Sequence, residues 1–179
     1  MSLSIDGFGD FKGTALYDVS EPAADYKPQA ALVLTGRSTD QVDAVTLTLN
    51  QSQIGEISDH YVFADDTKDN PLYLQYKGDD YIAERGEVRL VTDEEGGRLE
   101  GTFELTAVGL ERSEMQAKLI GRFAISGVVL GCSRLVEGSA NGSTAGQAVD
   151  GDGLLWQPDV NLDSAFCTQV KEQLSALGF

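Results

Sequence analysis

From Asp10 onward apolar and polar side chains alternate with a period of two, and turn-forming residues interrupt the alternation at short intervals. This is the pattern of antiparallel strands with one face buried and the other in water. Phe11, Gly13, Ala15, Tyr17 and Val19 share one face of the first such strand. QAALVLTGR from Gln29 predicts a second. AVTLTLN predicts a third, in which Val45, Leu47 and Leu49 alternate with Thr46 and Thr48, a β-branched and aliphatic composition suited to a pleated surface. No element is assigned to the opening Met1-Ser2-Leu3.

The middle of the chain holds four short runs, HYVFAD, PLYLQYK, DYIAER and EVRLVTD, separated by Asp, Asn, Pro and Gly. Pro71 can stand only at a strand start or edge, because it has no amide proton for the ladder. DEEGGR predicts a hairpin turn, with Gly96 and Gly97 free to take positive φ, and it leads into RLEGTFELTAV. There Leu99, Gly101, Phe103, Leu105 and Ala107 face one way, while Arg98, Glu100, Thr102, Glu104 and Thr106 face the other. The same frame returns as Leu119, Gly121, Phe123 and Ile125, so LEGTFEL and LIGRFAI are two copies of one pattern, with FKGTALY as an earlier version. Glycine inside a strand weakens it unless the sheet bends or a neighbour covers the gap. Its repeated inward placement therefore predicts a strongly curved sheet with aromatic side chains over the glycines. The expected fold is all-β, a curved antiparallel sheet forming a barrel or a sandwich, in one domain over residues 1–179.

From Gly138 the pattern changes. Residues 138–153, GSANGSTAGQAVDGDG, hold no large apolar side chain and predict a flexible connection. After LLWQPDVNLD, in which Trp156 is expected to cover an open end of the sheet, comes a C-terminal helix over 163–177, with Asp163 or Ser164 at its N-cap. Cys167, Val170, Leu174 and Leu177 lie along one stripe of it and predict the packed face.

Composition narrows the function classes. The 179 residues are 41% hydrophobic and 23% charged, so the net charge of −16 reflects few Lys and Arg and not an excess of charge. Such a chain is globular, long enough for one core. Its field repels phosphate backbones, and no basic run occurs in it, which argues against nucleic acid as a partner. No apolar stretch reaches the roughly 18 to 20 residues that span a bilayer. The first residues carry no export signal, so the chain is either cytosolic or has lost its signal segment.

The only two cysteines are Cys132, at the end of the strand-like run IGRFAISGVVLGC, and Cys167 on the helix. A disulfide between them would pin a helix that is otherwise tethered by the glycine-rich connection. Two buried thiols in a reducing compartment are the plainer alternative. With the bridge, the compartment is oxidising, namely periplasm, cell surface or exterior. LEGTFELTAVG and LIGRFAISGVVLGC resemble the closing strands of uncharacterised bacterial envelope lipoproteins, in which a G-x-F strand ends near a cysteine. That resemblance implies an extracytoplasmic β domain. The lipid-bearing N-terminal cysteine of such proteins is absent from this sequence. The calycin families are a second comparison, but Ala15 stands where their first-strand tryptophan would be.

Candidate chemistry is sparse. His60 follows Asp59, yet no nucleophile elbow is present and adjacent strand residues point to opposite faces. Asp159, Asn161 and Asp163 occupy the first, third and fifth positions of a calcium loop, but Ser164 and Val170 break the rest of that motif and helix capping accounts for the acids. Asp65, Asp66 and Asp69 form a second oxygen-rich turn, which solvation explains equally well. Tyr61, Tyr73, Tyr76 and Tyr81 cluster in the middle of the chain. Tyrosine's flat face and polar tip suit a ligand on an exposed sheet face or barrel mouth, and also suit cross-strand packing. No cofactor is implied. The expected function is a non-enzymatic extracytoplasmic module binding a small ligand or a protein. The alternatives are a hydrolase with a dispersed site near His60, and a structural envelope protein.

Overall fold

The computed structural model describes residues 1–21, 29–64, 71–93, 98–111, 114–137, 154–158 and 165–176. In chain order the strands are β1 (Ser2–Ile5), β2 (Gly9–Glu21), β3 (Gln29–Ser38), β4 (Ala44–Gln51), β5 (His60–Phe63) and β6 (Leu72–Tyr76). They continue as β7 (Asp79–Asp93), β8 (Arg98–Gly109), β9 (Gln116–Ile125), β10 (Val129–Glu137) and β11 (Leu154–Pro158), and helix α1 covers Ala165–Ala176. All except β5, β10 and β11 pair antiparallel with their neighbours in the order β1-β2-β3-β4-β6-β7-β8-β9, and β9 returns to β1. The sheet therefore closes as an eight-stranded up-and-down barrel, the first of the two architectures the alternation allows.

Closure depends on the opening residues, to which the sequence pattern assigned no element. Leu3 stands opposite both Phe11 and Phe123, and Ile5 opposite both Gly9 and Gly121. Both side chains are buried in the core. The inward faces of the longer strands follow the predicted alternation: on β8 the pattern runs without a break from Leu99 to Gly109. The repeated glycines have the expected role. Gly101 is in register with Phe123, and Phe103 with Gly121, and each ring lies over the facing glycine where a Cβ would collide with its ring carbons.

DYIAER and EVRLVTD, which read as two runs, form the single strand β7. A bulge between Ala83 and Arg85, and Gly86 at φ 136°, bend it. The bend lets one edge of β7 serve two partners, β6 along Asp79–Ile82 and β5 along Gly86–Arg89. Pro71 immediately precedes β6, as its missing amide requires, and its carbonyl accepts from the Thr48 amide at 2.7 Å. Lys77 and Gly78 both have positive φ, 52° and 86°, which makes the link from β6 to β7 a two-residue type I′ turn. The predicted turn at 94–97 lies outside the described residues, although Asp93 does pair with Arg98.

The C-terminal third departs most from expectation. The run through Cys132 is interrupted between β9 and β10, and β10 pairs parallel with Leu16–Glu21 of β2, along the edge that β1 leaves free beyond Lys12. Cys132 does not end that strand, which continues to Glu137. LLWQP is not a simple cover either, because it pairs with β10 as β11, with Trp156 opposite Leu135. The connection at 138–153 lies outside the described residues. Helix α1 falls within the predicted 163–177, and two residues of the predicted stripe, Cys167 and Val170, are buried against Tyr17, Val19 and Ala30. No described cysteine is a free thiol, and Cys167 is disulfide-bonded.

Candidate functional site

The interior of a small barrel is the usual place for a ligand, and here side chains occupy it. Leu32, Leu34, Leu47, Leu49, Leu72 and Leu74 are fully buried in one apolar cluster. The four tyrosines line no common cavity. Tyr61 faces inward and donates to Oε1 of Gln51 at 2.8 Å. Tyr76 and Tyr81 meet Phe8 edge to face, with ring centroids 4.9 and 5.9 Å away, where the β1–β2 and β6–β7 turns gather. Tyr73 lies on the outer wall and donates to Oδ1 of Asp80 at 2.7 Å, a bond that raises its pKa. Tyr17, outside the predicted set, is the most buried of the five described tyrosines: its hydroxyl accepts from the Gly55 amide at 2.9 Å and donates to the Glu56 carbonyl at 3.0 Å. Burial pushes its pKa up, against those two bonds.

His60 stands on the outer face of β5. Its Nε2 lies 3.1 Å from Oε2 of Glu87, which also accepts from Nη2 of Arg89 at 3.1 Å. Arg89 first, and His60 second, hold the Glu87 carboxyl below its usual range. Asp59 contributes its carbonyl to the Leu90 amide. No hydroxyl or thiol bonds to His60 among the described residues, so the arrangement is a cross-strand charge cluster. The oxygen-rich candidates Asp159, Asn161, Asp163, Asp65, Asp66 and Asp69 all lie outside the described residues. Among those described, no three His, Cys, Asp or Glu side chains gather as metal ligands.

A groove of about 840 Å³ crosses the outer wall of β7, β8, β9, β1 and β2. Strand register builds it. Arg89, Thr102, Arg122 and Ser4 form one row across β7, β8, β9 and β1, and Val91, Glu100, Ala124, Ser2 and Lys12 form the next. Four of the chain's 13 basic side chains line the groove, Lys12, Arg89, Arg98 and Arg122, against two of its 29 acidic ones, Asp10 and Glu100. Within the groove itself the cations thus outnumber the acids, while Glu87 and Glu104 stand with Ile120 in the adjoining outward row. Arg98 is engaged by Glu100 at 3.2 Å, and Arg89 by Glu87. Lys12 and Arg122 form no ion pair among the described residues.

A second depression shares Ser4, Arg89, Thr102 and Arg122 with the groove and extends it past Ile120, where Asp6, Glu87 and Glu104 also line it. The sequence hid this site because its cations come from four strands far apart in the chain. The signal was nonetheless present in the strand phases, since Arg98 and Thr102 fall in the outward set of β8 and Arg122 in the matching outward slot of β9. No family model, no curated protein and no solved structure matches the chain.

Proposed function

We propose that the chain is a non-enzymatic binding or interaction module of an extracytoplasmic compartment, and that it engages its ligand on the outer barrel wall at the Arg89–Arg122 groove. One observation carries this reading: Lys12 and Arg122, which have no ionic partner among the described residues, stand in one groove of the outer wall while the barrel interior is filled. Free cations on a closed sheet add little to stability, whereas they give an approaching anion orientation and selectivity.

The compartment rests on sulfur chemistry. Cys167 is bonded, and Cys132 is the only other cysteine in the sequence. The backbone of Cys132 stands level with Val19, which shares a buried cluster with Cys167. We take Cys132 as the partner, a pairing that favours an oxidising home and agrees with the likeness of β8 and β9 to envelope lipoproteins.

Two experiments test the two halves. Intact-mass measurement after alkylation without reductant is expected to show neither sulfur labelled; two labelled sulfurs would remove the support for the compartment. A thermal-shift screen of small anions, saccharides and peptides, run on the native chain and on a Lys12→Glu/Arg122→Glu variant, is expected to yield shifts that the variant loses. Shifts that survive in the variant would place binding elsewhere, and turnover of an ester or peptide abolished by His60→Ala would make the chain an enzyme.

A further inference from the structure

Four turns gather at one end of the barrel, those joining β1 to β2, β3 to β4, β6 to β7 and β8 to β9, and they form a surface apart from the wall groove. We propose that this end docks a basic, amphipathic peptide segment of a partner protein, with aliphatic side chains against Val42, Tyr76, Leu110 and Met115 and with ammonium or guanidinium groups on the carboxylates around them.

The apolar part of this surface is continuous. Val42 is 63% exposed and Leu110 52%, while Phe8, Tyr76 and Met115 are half-buried. Phe8 meets Tyr76 and Tyr81 edge to face, Tyr81 and Met115 border one shallow depression, and the Leu110 amide beside them donates to the Asp80 carbonyl at 2.8 Å. Val42 joins from the other side through Asp43, whose Oδ1 accepts from the Lys77 amide at 2.7 Å. These two bonds also tie neighbouring turns together, so a partner landing here has little to order. An exposed apolar patch rimmed by polar groups is the usual mark of a protein contact.

Charge selects the occupant. Three of the turns bring two acids each to this end, Asp40 and Asp43, Asp79 and Asp80, Glu111 and Glu114. None of the six forms an ion pair among the described residues. The bases there are fewer: Lys77, Arg37, whose Nη1 is 3.4 Å from the Gln41 carbonyl, and Arg112, which the sequence places between Glu111 and Glu114. The chain's own Lys77 shows how a cation is received, since its ammonium lies over the Tyr76 ring, 4.9 Å from the centroid, on the turn that Asp43 holds.

Other occupants fit less well. No three acids converge as metal ligands among the described residues, so the carboxylates suit several cations spread along a chain better than one ion. The acids repel nucleic acid and anionic lipid headgroups alike. The net charge of −16, by contrast, hastens the approach of a basic partner.

A ring of eight strands about 4.8 Å apart and tilted by about 40° is roughly 16 Å across, which an extended peptide of about eight residues spans at ~3.3 Å per residue. A fluorescently labelled peptide of that length, alternating lysine and valine, is titrated by anisotropy into the whole chain in about 0.15 M salt and is expected to bind saturably. Asp79→Asn/Glu111→Gln/Glu114→Gln is expected to weaken binding about tenfold or more without lowering the melting temperature, and Leu110→Ser to weaken it several-fold. The charge-matched variant Glu56→Gln/Asp59→Asn/Glu172→Gln, altered at the opposite end where α1 meets the Gly55 loop, is expected to change it less than about twofold. Equal losses in the two triple variants would mean attraction by the overall field and overturn the proposal. So would equal binding of a lysine–serine peptide, or no saturable binding at all. Retention on phosphatidylcholine vesicles that Leu110→Ser abolishes, with no peptide bound, overturns the peptide in favour of lipid.

Discussion

Two rings lie over two glycines on neighbouring strands, Phe123 on Gly101 and Phe103 on Gly121, and the pairs are reciprocal because the register of β8 with β9 places each aromatic opposite a glycine. A methyl group at either glycine would push the ring out of its seat in a core with no slack. Gly101→Ala and Gly121→Ala are each expected to destabilise by roughly 1–3 kcal/mol, read from urea unfolding midpoints at constant m. A neutral result would mean that the rings pack elsewhere. Asp18 makes the opposite case. It is half-buried on the outer side of β2, and desolvation raises its pKa despite a bond from the Val19 amide. The folded chain thus holds the Asp18 proton more tightly than the unfolded chain. The resulting stabilisation is complete below the ordinary value of 3.8 and is lost as pH rises through the raised value. At neutral pH the ionised group is therefore a liability, so Asp18→Asn is expected to raise the melting temperature by about 1–3 °C at pH 7 and to leave it unchanged near pH 3. A lower melting temperature at pH 7 would show that the carboxylate is needed.

At the scale of elements, the legible strands were those with one wet and one dry face over many residues, as in β2, β4 and β8, where period-two alternation is long enough to fix the phase. β7 was cut in two for a physical reason: its inward positions are odd through Tyr81 and Ala83 and even from Val88 to Leu90, because the bulge consumes a residue and reverses the phase. β1 escaped notice because four residues carry too little pattern, yet two strands depend on it for the closed ring. β10 and β11 lie off the barrel, so their pairing follows from where β1 starts, which no local pattern records. The groove was unreadable for a related reason, since a cross-strand row exists only once register is known. The ring's dependence on β1 can be measured. The amides of Leu3 and Ile5 are expected to exchange with solvent as slowly as those in the middle of β8, although terminal residues usually fray. Exchange faster by orders of magnitude would mean an open sheet.

For the whole molecule, the central question is how a ring complete in itself relates to the helix beyond it. α1 adds nothing to the ring of eight pairings, but it seals the end where Tyr17 reaches the loop at Gly55 and Glu56, and Gln173 packs against Gly55 there. With Cys132 as the partner of Cys167, the bond closes a loop that should constrain the unfolded chain by roughly 3–4 kcal/mol. Reduction, or a Cys132→Ser/Cys167→Ser variant, is accordingly expected to cost about that much while the barrel keeps a single cooperative transition. The buried hydroxyl gives this a second readout. Tyr17 holds its proton above the ordinary 10.0, chiefly through burial, so the stability tied to its neutral form is intact below that value and fades as pH rises through the raised one. An undocked helix would hydrate Tyr17 and remove much of that shift. The reduced chain is therefore expected to show a tyrosinate absorbance step at lower pH than the oxidised chain. Coincident steps in the two forms would mean that α1 stays seated without its covalent tie, held by Cys167 and Val170 packing alone.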